Sequence, residues 1–220
     1  MEAAEQDLRE RLAKVGRQIL EAGLTYGTAG NISARIPNTD ACLIKPSAFV
    51  MGELKPEDFI IVNINTREVV SGKHKPSTET PFHTTIYKGR ADVSGIVHTH
   101  SHYATLFGIA GVELVPIGME ISRTPALAEG VGVAKYAPPG TEELAVNVAE
   151  GLGDRCAVLL PHHGVTAIGK TIEEAYRIAK GVEDLAKLQF EVTCIGKPNP
   201  LPESAIRMML ERAKKQGAIV

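Results

Sequence analysis

The 220-residue chain is long enough to bury a full core, and 44% of its residues are hydrophobic against 23% that are charged. Its formal net charge of −2 argues against a nucleic acid or a membrane surface as a partner. No segment has the length of a membrane span, and the charged stretch Met1–Gln18 lacks the apolar core of a signal peptide. Three distant cysteines without a CxxC pair are typical of reduced thiols. We therefore predict one cytoplasmic domain over residues 1–220.

The first third of the chain predicts a helix followed by closely spaced strands. Residues 5–22 carry apolar side chains at helical spacing, and Gly23 is a suitable stop. Short apolar runs then alternate with turn residues, which predicts strands at 32–36, 42–44, 59–64 and 68–70. Strands this close together imply hairpins, so we expect a largely antiparallel or mixed sheet.

The rest of the chain alternates helices with strands. Periodicity and capping residues predict helices at 79–88, 101–110, 141–152, 171–192 and 203–215. Buried strands are predicted at 93–98 and at 156–160, the second continued by 164–168. Helices interspersed with such a sheet cover its two faces, so the predicted fold class is α/β, a three-layer αβα arrangement.

His98 and His100 end the apolar run 93–97. Because side chains alternate along a strand, both imidazoles point to the same face. Two converging imidazoles suit a divalent transition metal, and neutral imidazole is a common zinc ligand. Polar residues at a strand end need no ligand, but a second histidine pair after another apolar strand favours a metal site.

The remaining metal ligands must come from elsewhere in the chain. His162 and His163 follow an apolar strand, and adjacent strand residues point to opposite faces. One of the two is therefore expected to bind, and the spacing does not say which. Glu79 is the candidate carboxylate of a four-coordinate zinc site. His83 lies one helical turn after Glu79 and either orients it or packs in the core, whereas His102 is placed outside the metal shell.

Three segments offer backbone N–H groups and hydroxyls to an anion, namely 27–31, 45–48 and 75–79. Gly30 permits a turn whose N–H groups point at one anion, and the third segment precedes a predicted helix N-terminus. Each segment alone is an ordinary turn or cap, but three beside a metal site favour ligand binding. The chain has no GxxxxGKS/T loop or complete dinucleotide fingerprint, so we predict a small phosphorylated substrate rather than a nucleotide.

Four motifs together resemble the class II aldolase/adducin family, and within it the L-fuculose-1-phosphate aldolases most closely. The motifs are GTAGNIS at 27–33, STE at 77–79, HTH at 98–100 and HHG at 162–164. The resemblance runs from Gly23 to about Asp184, which is most of the chain. It implies a sheet flanked by helices, and a homotetramer with active sites at subunit interfaces.

The resemblance also implies roles for individual residues. Zinc, or another divalent transition metal, is expected to be bound by His98, His100 and His163. Glu79 is expected to be a further zinc ligand in the resting enzyme and also the catalytic acid/base. The implied phosphate-binding residues are Gly30, Asn31, Ser47, Ala48, Ser77 and Thr78.

The implied activity is reversible cleavage of a ketose 1-phosphate into dihydroxyacetone phosphate and an aldehyde. Alternatives of related chemistry are 4-epimerisation, decarboxylation and dehydration of a sugar phosphate. A non-catalytic adducin-like scaffold is disfavoured, because a scaffold needs no converging metal ligands. The fuculose aldolases use two tyrosines at the aldehyde, and the matching segments 115–120 and 214–220 contain none. Glu120 either replaces one of them or is a surface carboxylate.

Overall fold

A computed structural model describes residues 2–118 and 120–215, without the side chains of Glu2 and Glu120. Eight strands in these residues form one sheet in the spatial order β4-β3-β2-β1-β5-β8-β7-β6. In chain order the strands are Asn31–Arg35 (β1), Ala41–Ile44 (β2), Ile60–Asn63 (β3), Val69–Ser71 (β4), Gly95–Thr99 (β5), Gly132–Val133 (β6), Ala157–Leu160 (β7) and Gly164–Gly169 (β8).

The sheet is antiparallel at every neighbouring pair except β6 and β7, which run parallel. Strands β1 to β4 are consecutive in space, as expected for strands joined by short connections. Strand β5 returns to the free side of β1, where Asn31 lies opposite His98. The predicted mixed and largely antiparallel sheet is confirmed.

Seven α-helices lie in the described residues: Glu2–Glu21 (α1), Thr80–Gly89 (α2), His102–Ala110 (α3), Glu120–Arg123 (α4), Glu142–Leu152 (α5), Ile172–Ile195 (α6) and Glu203–Lys215 (α7). Two of the longer helices begin at side-chain caps. Thr141 accepts a hydrogen bond from the Leu144 N–H at the start of α5, and Thr171 accepts one from the Glu174 N–H at the start of α6.

The helices cover both faces of the sheet. Helices α1, α3 and α6 pack together over one face, whereas α2 and α5 pack together over the other. Gly95 faces α6 so closely that an added Cβ would lie 2.6 Å from the Ile172 Cα. Ser33 faces the opposite way and contacts His83 and Tyr87 of α2. The predicted three-layer αβα arrangement is confirmed.

The chain reverses at residues 161–163, so the prediction that 164–168 continues the strand 156–160 is wrong. Strands β7 and β8 form an antiparallel hairpin with Leu160 opposite Gly164. Pro161 cannot donate a ladder hydrogen bond, and His162 has a left-handed φ of 56°, both of which are typical of a tight turn. The reversal brings His163 back beside β5.

In the parts of the chain that the structure describes, no helix combines the length and the apolar character needed to cross a membrane. Cys42 and Cys156 are buried, Cys194 is exposed, and all three thiols are free. Burial raises the pKa of Cys42 to about 12 and that of Cys156 to about 11. The two buried cysteines are therefore neutral core side chains.

Candidate metal centre

Strand β5 places two imidazoles on the face of the sheet that α2 covers. His98 is fully buried on β5, and its ring contacts the edge of Phe82 on α2. His100 follows the end of the strand, two residues later and on the same side. The ring centroids of His98 and His100 lie 5.0 Å apart, and their Nε2 atoms 3.1 Å apart. The strand period therefore aims both side chains at one point.

The β7–β8 turn adds a third imidazole. The His163 ring centroid lies 4.7 Å from that of His98 and 4.9 Å from that of His100. Ligand nitrogens of these three residues all lie within 4.8 Å of one another. His162 is exposed instead, with its ring centroid 6.0 Å from that of Tyr136. The turn therefore brings His163 rather than His162 into the cluster.

Glu79 completes the group, which we call the metal cluster: Glu79, His98, His100 and His163. The residue is buried at the N-terminal end of α2. Its Oε1 lies 3.1 Å from the His163 Nε2, and its Oε2 lies 3.4 Å from the His98 Nε2. The Asn31 amide donates a hydrogen bond of 2.7 Å to Oε2. The carboxylate is thus held by β1 on one side and meets two imidazoles on the other.

The protonation states of Glu79, His98 and His100 suit a cation. Burial, together with neighbouring imidazoles, lowers the pKa of His98 well below its usual value, although Glu79 opposes this shift. Burial also lowers the pKa of His100. Burial raises the pKa of Glu79, but His98, His163 and the Asn31 amide outweigh it and hold that pKa below its usual range. Neutral imidazoles and an ionised carboxylate are the forms that bind metals.

Three observations test whether these residues fit a metal ion. The Val165 carbonyl lies 3.0 Å from the His98 Nδ1, so a proton there leaves the Nε2 lone pair facing the cluster. Glu79 Oε1 and His163 Nδ1 are buried without a hydrogen-bond partner among the described residues. Atoms about 2.0–2.1 Å from a tetrahedral zinc lie roughly 3.3 Å apart, close to the spacings of 3.1 and 3.4 Å between Nε2 and carboxylate oxygen atoms here. The donor set fits a divalent transition metal.

The structure joins two of the three predicted anion-binding segments. The Ser47 N–H donates to the Lys75 carbonyl at 2.9 Å, and the Ser77 N–H donates to the Lys45 carbonyl at 3.0 Å. Ser47 and Ser77 therefore lie side by side. Ala48 and Thr78, which follow them, are both exposed. Ala48 has a left-handed φ of 62°, so its loop has the turn geometry that a nest of N–H groups requires.

The first anion-binding segment meets the other two through Lys45. Gly30 has a left-handed φ of 72°, and an added Cβ would lie 2.6 Å from the His98 carbonyl oxygen. The Lys45 Nζ donates to the Thr28 carbonyl at 3.2 Å and to the Pro46 carbonyl at 3.3 Å. Burial lowers the pKa of Lys45 to about 8, although Glu79 raises it. The Asn31 side chain is engaged separately, by Glu79 and His83.

Lys45 is a site residue that the sequence reasoning missed. The available signal was a lysine directly after the apolar strand 42–44 and directly before the Pro46–Ser47 turn. A charge at that position follows the buried end of a strand, and a lysine is rarely fully buried unless it is paired. The interpretation of segment 45–48 as a source of a hydroxyl and backbone N–H groups overlooked the ammonium group of Lys45.

A cleft of about 490 Å³ opens on the outer side of the cluster. We call it the outer cleft, and its lining residues are Gly23, Tyr26, His100, His102, Thr105, Leu106, Ile109, His162 and His163. His100 and His163 form the border with the metal cluster. Tyr26 and Ile109 are exposed apolar side chains. The Glu120 side chain, considered above as a replacement for a tyrosine, lies outside the described residues.

A three-layer αβα fold with a partly buried cluster of three histidines and a carboxylate defines a candidate metal-dependent active site. The model of the class II aldolase and adducin N-terminal domain matches residues 10–190. The chain is 35% identical over 209 residues to a 5-deoxy-D-ribulose 1-phosphate aldolase of Bacillus thuringiensis, covering 95% of this chain and 96% of that protein. It is 34% identical over 216 residues to the L-fuculose phosphate aldolase of Escherichia coli, covering 93% and 96%. A solved L-fuculose 1-phosphate aldolase superposes with a TM-score of 0.89 at 35% identity, covering 94% and 96%.

The chain belongs to the class II aldolase and adducin family. Relatives that it matches along nearly their whole length are named sugar-phosphate aldolases, and the chain is an enzyme of the carbon–carbon lyase class. Class II aldolases depend on a metal ion, and His98, His100 and His163 could bind one here. The predicted family and fold class are confirmed.

Proposed function

We propose that the chain is a zinc-dependent aldolase that reversibly cleaves a ketose 1-phosphate into dihydroxyacetone phosphate and an aldehyde. The observation that carries this proposal is the metal cluster, in which Glu79 and His98 are buried and Glu79 Oε1 has no hydrogen-bond partner among the described residues. Cleavage between C3 and C4 of the sugar leaves negative charge on C3 and its neighbouring oxygen. The site must stabilise that charge and return a proton to C3.

His98, His100 and His163 would hold the metal, with Glu79 as a fourth ligand in the resting enzyme. When bound, the divalent cation supplies a Lewis acid that stabilises negative charge on the substrate oxygens and acidifies the C3–H bond. Three imidazoles with one carboxylate match the ligand preference of Zn²⁺. The fixed His98 ring, oriented by the Val165 carbonyl, supports a preformed site.

Glu79 is the proposed acid and base. In the cleavage direction the C4 hydroxyl loses its proton as the C3–C4 bond breaks to give the aldehyde, and the Glu79 carboxyl group delivers a proton to C3. In the synthesis direction its carboxylate removes that proton from dihydroxyacetone phosphate, and the aldehyde oxygen gains a proton as the C3–C4 bond forms. Its lowered pKa keeps the base form available at neutral pH. Because the Glu79 side chain is buried, bulk water has little access to the proton that Glu79 transfers.

The three anion-binding segments are the proposed phosphate site. Gly30, Ser47, Ala48, Ser77 and Thr78 offer backbone N–H groups or hydroxyls, and Asn31 continues the first segment. The Lys45 ammonium lies between these segments and gives the phosphate a local positive charge, although the protein as a whole has a negative net charge. A phosphate at this position would place the sugar carbons toward Glu79, because Ser77 and Glu79 are two residues apart.

The outer cleft is the proposed site of the aldehyde half. Leu106 and Ile109 give this cleft an apolar wall beside His100 and His163. The relatives are named for 5-deoxyribulose 1-phosphate and fuculose phosphate, sugars that both end in a methyl group. We therefore propose a substrate whose end remote from the phosphate lacks a hydroxyl group. The missing tyrosines fit a cleft that contacts this end through apolar surface.

The test of this proposal is proton exchange on dihydroxyacetone phosphate. Glu79→Gln keeps the size of the side chain but removes the base, so exchange of the C3 proton in deuterated water should fall by at least about 100-fold. Zinc content after dialysis should persist, because three histidines remain. Glu142→Gln, which changes an exposed glutamate elsewhere, is the matched control.

Three outcomes would each refute a part of the proposal. Proton exchange retained in Glu79→Gln would remove Glu79 from the role of base. A set of deoxy and hydroxylated ketose 1-phosphates that releases no dihydroxyacetone phosphate would refute the aldolase reaction. Activity that persists after metal removal, and that added Zn²⁺ does not change, would refute the zinc requirement.

We further propose a cytoplasmic homotetramer with active sites at subunit interfaces, in which residues 1–220 form one domain. The family resemblance suggests this assembly, and the exposed apolar side chains of Ile109, Val112 and Phe190 support it. Sedimentation at micromolar concentration should give a tetramer. A fully active monomer would contradict the assembly.

A further inference from the structure

His83 is buried and joined to Glu79 through one intervening residue. Its Nε2 contacts the Asn31 Oδ1, and the Asn31 Nδ2 donates to Glu79 Oε2 at 2.7 Å. On the other side of the ring, the His83 Nδ1 lies 2.6 Å from the Ser33 Oγ, which lies 2.8 Å from the Tyr87 hydroxyl. All five side chains are buried. The result is one unbranched chain of polar groups that ends on Glu79.

The direction of each hydrogen bond in this series follows from the Glu79 carboxylate, at which the series ends. A carboxylate accepts hydrogen bonds, so the Asn31 amide nitrogen faces Glu79 and the amide oxygen faces His83. That oxygen can only accept, so the His83 Nε2 carries a proton. Burial lowers the pKa of His83 to about 3, which leaves the ring neutral and its Nδ1 bare. The Ser33 hydroxyl then donates to Nδ1, and the Tyr87 hydroxyl donates to Ser33.

We propose that His83 is a positioning residue which, through Asn31, holds Glu79 Oε2 in a permanent hydrogen bond and leaves Oε1 as the oxygen that carries the proton. This inference rests on the proposed role of Glu79 as acid and base. Without the Nε2 proton, the Asn31 Oδ1 would be buried without a donor, and the hydrogen bond to Glu79 alone would hold the amide. Small rotations of the amide would then change the direction of its hydrogen bond to Oε2, and the orientation of Glu79 would be less well defined.

The position of Oε1 supports this division between the two oxygens. Oε2 accepts a hydrogen bond from the Asn31 amide, whereas Oε1 has no hydrogen-bond partner among the residues that the structure describes and lies 3.1 Å from the His163 Nε2, a proposed metal ligand. A carboxylate that can rotate freely would present either oxygen to the substrate and would take up its proton in more than one geometry. Fixing Oε2 keeps Oε1 aligned with the substrate. This alignment matters because a shift of a fraction of an ångström in a catalytic group lowers the rate.

The first test reads the His83 tautomer directly and requires no turnover. Nitrogen NMR spectra of the zinc-loaded wild-type protein, labelled with ¹⁵N-histidine, should show His83 as a neutral ring with the proton on Nε2. The His83→Gln spectrum identifies the signal by its disappearance. A proton on Nδ1, or a charged ring at neutral pH, would overturn the proposal. Neither result depends on whether Glu79 is the base, so this test fails separately from the exchange test of Glu79→Gln.

The second test compares three variants of the same helix. His83→Phe keeps the volume of the ring but loses the donor, and should lower kcat by about 10–100-fold with KM changed by less than about threefold. His83→Gln retains an N–H donor near the Nε2 position and should recover most of the loss. Tyr87→Phe removes a buried hydroxyl that lies two hydrogen bonds farther from Glu79 than His83 does, and its kcat should stay within about threefold of wild type.

The structural alternative makes different predictions for these variants. If His83 only stabilises the core, kcat would fall equally in His83→Phe and Tyr87→Phe, in proportion to the lost fraction of folded protein. A rise in KM with unchanged kcat, or no recovery in His83→Gln, would also overturn the proposal. Should His83→Phe fail to fold, the tautomer measurement and the His83→Gln kinetics still decide the question.

Discussion

The metal cluster and the outer cleft adjoin at His100 and His163, yet their residues are held in different ways. Glu79 and His98 are buried, and each contacts another polar group or a backbone carbonyl. In the outer cleft, Tyr26 and Ile109 are exposed, one on a loop and the other on α3. Their apolar groups have few neighbours to fix them.

This difference suggests how one fold can serve several substrates. A buried polar group that loses its partner costs about 1–3 kcal/mol, so changes in the metal cluster are expensive. Exposed apolar side chains can be replaced at little cost to stability. We therefore expect the reaction to depend on the metal cluster and the choice of aldehyde to depend on the outer cleft. The following variants test that division.

The largest effect is expected from substitutions at the two neighbouring histidines of the β7–β8 turn, His162 and His163. His163→Ala removes a proposed metal ligand and should lower both zinc retention and kcat by more than about 100-fold. His162→Ala changes the adjacent, exposed histidine and should leave both within about threefold of wild type. Metal content after dialysis and steady-state kinetics measure the two effects. Equal losses in both variants would contradict the placement of His163 in the cluster.

Lys45→Met tests the buried cation at the anion-binding segments. The pKa of Lys45 in the folded protein is about 8, against an ordinary value near 10.5. Above pH 8 the unfolded chain therefore holds more protons at this site, and the free energy of unfolding rises with pH until about 10.5. Relative to Lys45→Met, the wild-type protein should gain about 2 kcal/mol between pH 7 and 10.

Urea unfolding of both proteins at the two pH values, in buffer without phosphate, measures this gain. Because both proteins share every other titrating group, the difference isolates Lys45. Parallel pH curves for the two proteins would contradict the buried position of the ammonium. Inorganic phosphate should stabilise the wild-type protein more than Lys45→Met at pH 7, since phosphate binding to the folded state adds to stability.

Leu106→Ser tests the outer cleft alone. Loss of apolar contact should lower kcat/KM for a deoxy substrate relative to its hydroxylated analogue by about tenfold. This is the low end of the discrimination expected from one apolar group, because the pocket is partly exposed. Zinc content and proton exchange on dihydroxyacetone phosphate should not change. Val146→Ser alters an exposed apolar residue of α5 outside the cleft lining and is the matched control. A changed exchange rate in Leu106→Ser would show that the two regions are not separable.

The smallest effect is expected far from both regions, at the ion pair between α1 and α6. Arg11 donates two hydrogen bonds of 2.7 Å to Glu173, and they lower the pKa of Glu173 to about 2. This contribution is present above about pH 4.5 and is lost as pH falls toward 2. Because the pair is more than a third exposed, Glu173→Gln should cost only about 0.5 kcal/mol at pH 7.

Thermal unfolding at pH 7 and at pH 3 measures the loss, which should shrink at the lower pH. Both the zinc content and the aldehyde preference should be unchanged in Glu173→Gln. A large change in either would mean that the metal cluster depends on the packing of α1 against α6 more than its contacts indicate.

Local patterns in the sequence predicted what depends on local geometry. His98 and His100 fall on the same face because the period of two holds along β5. Glu79 and His83 fall on adjoining positions of α2 because helical neighbours are four residues apart. The predicted strand at 42–44 and helix at 141–152 agree with Ala41–Ile44 and Glu142–Leu152 to within one residue, since apolar runs and the Thr141 cap are local signals.

Other parts of the site depend on contacts between distant segments. The choice between His162 and His163 follows from the hairpin turn, which the sequence reasoning replaced with a continuous strand. The Lys45 ammonium reaches the first anion-binding segment only because β2 ends beside it. Asn31 joins Glu79 to His83 because β1 pairs with β5 and α2 packs across both.

The sequence by itself determined the family, the mixed αβα fold and the two imidazoles on one strand face. These depend on motifs and periodicities whose physical cause lies within a few neighbouring residues. The family resemblance had implied His163 as the third imidazole, but only the tertiary structure gave the physical reason for it. The tertiary structure also decided which lysine lies between the anion-binding segments and how Glu79 is oriented. Those depend on where turns and strand ends bring distant polar groups together in the core, because buried polar groups must find partners wherever the fold supplies them.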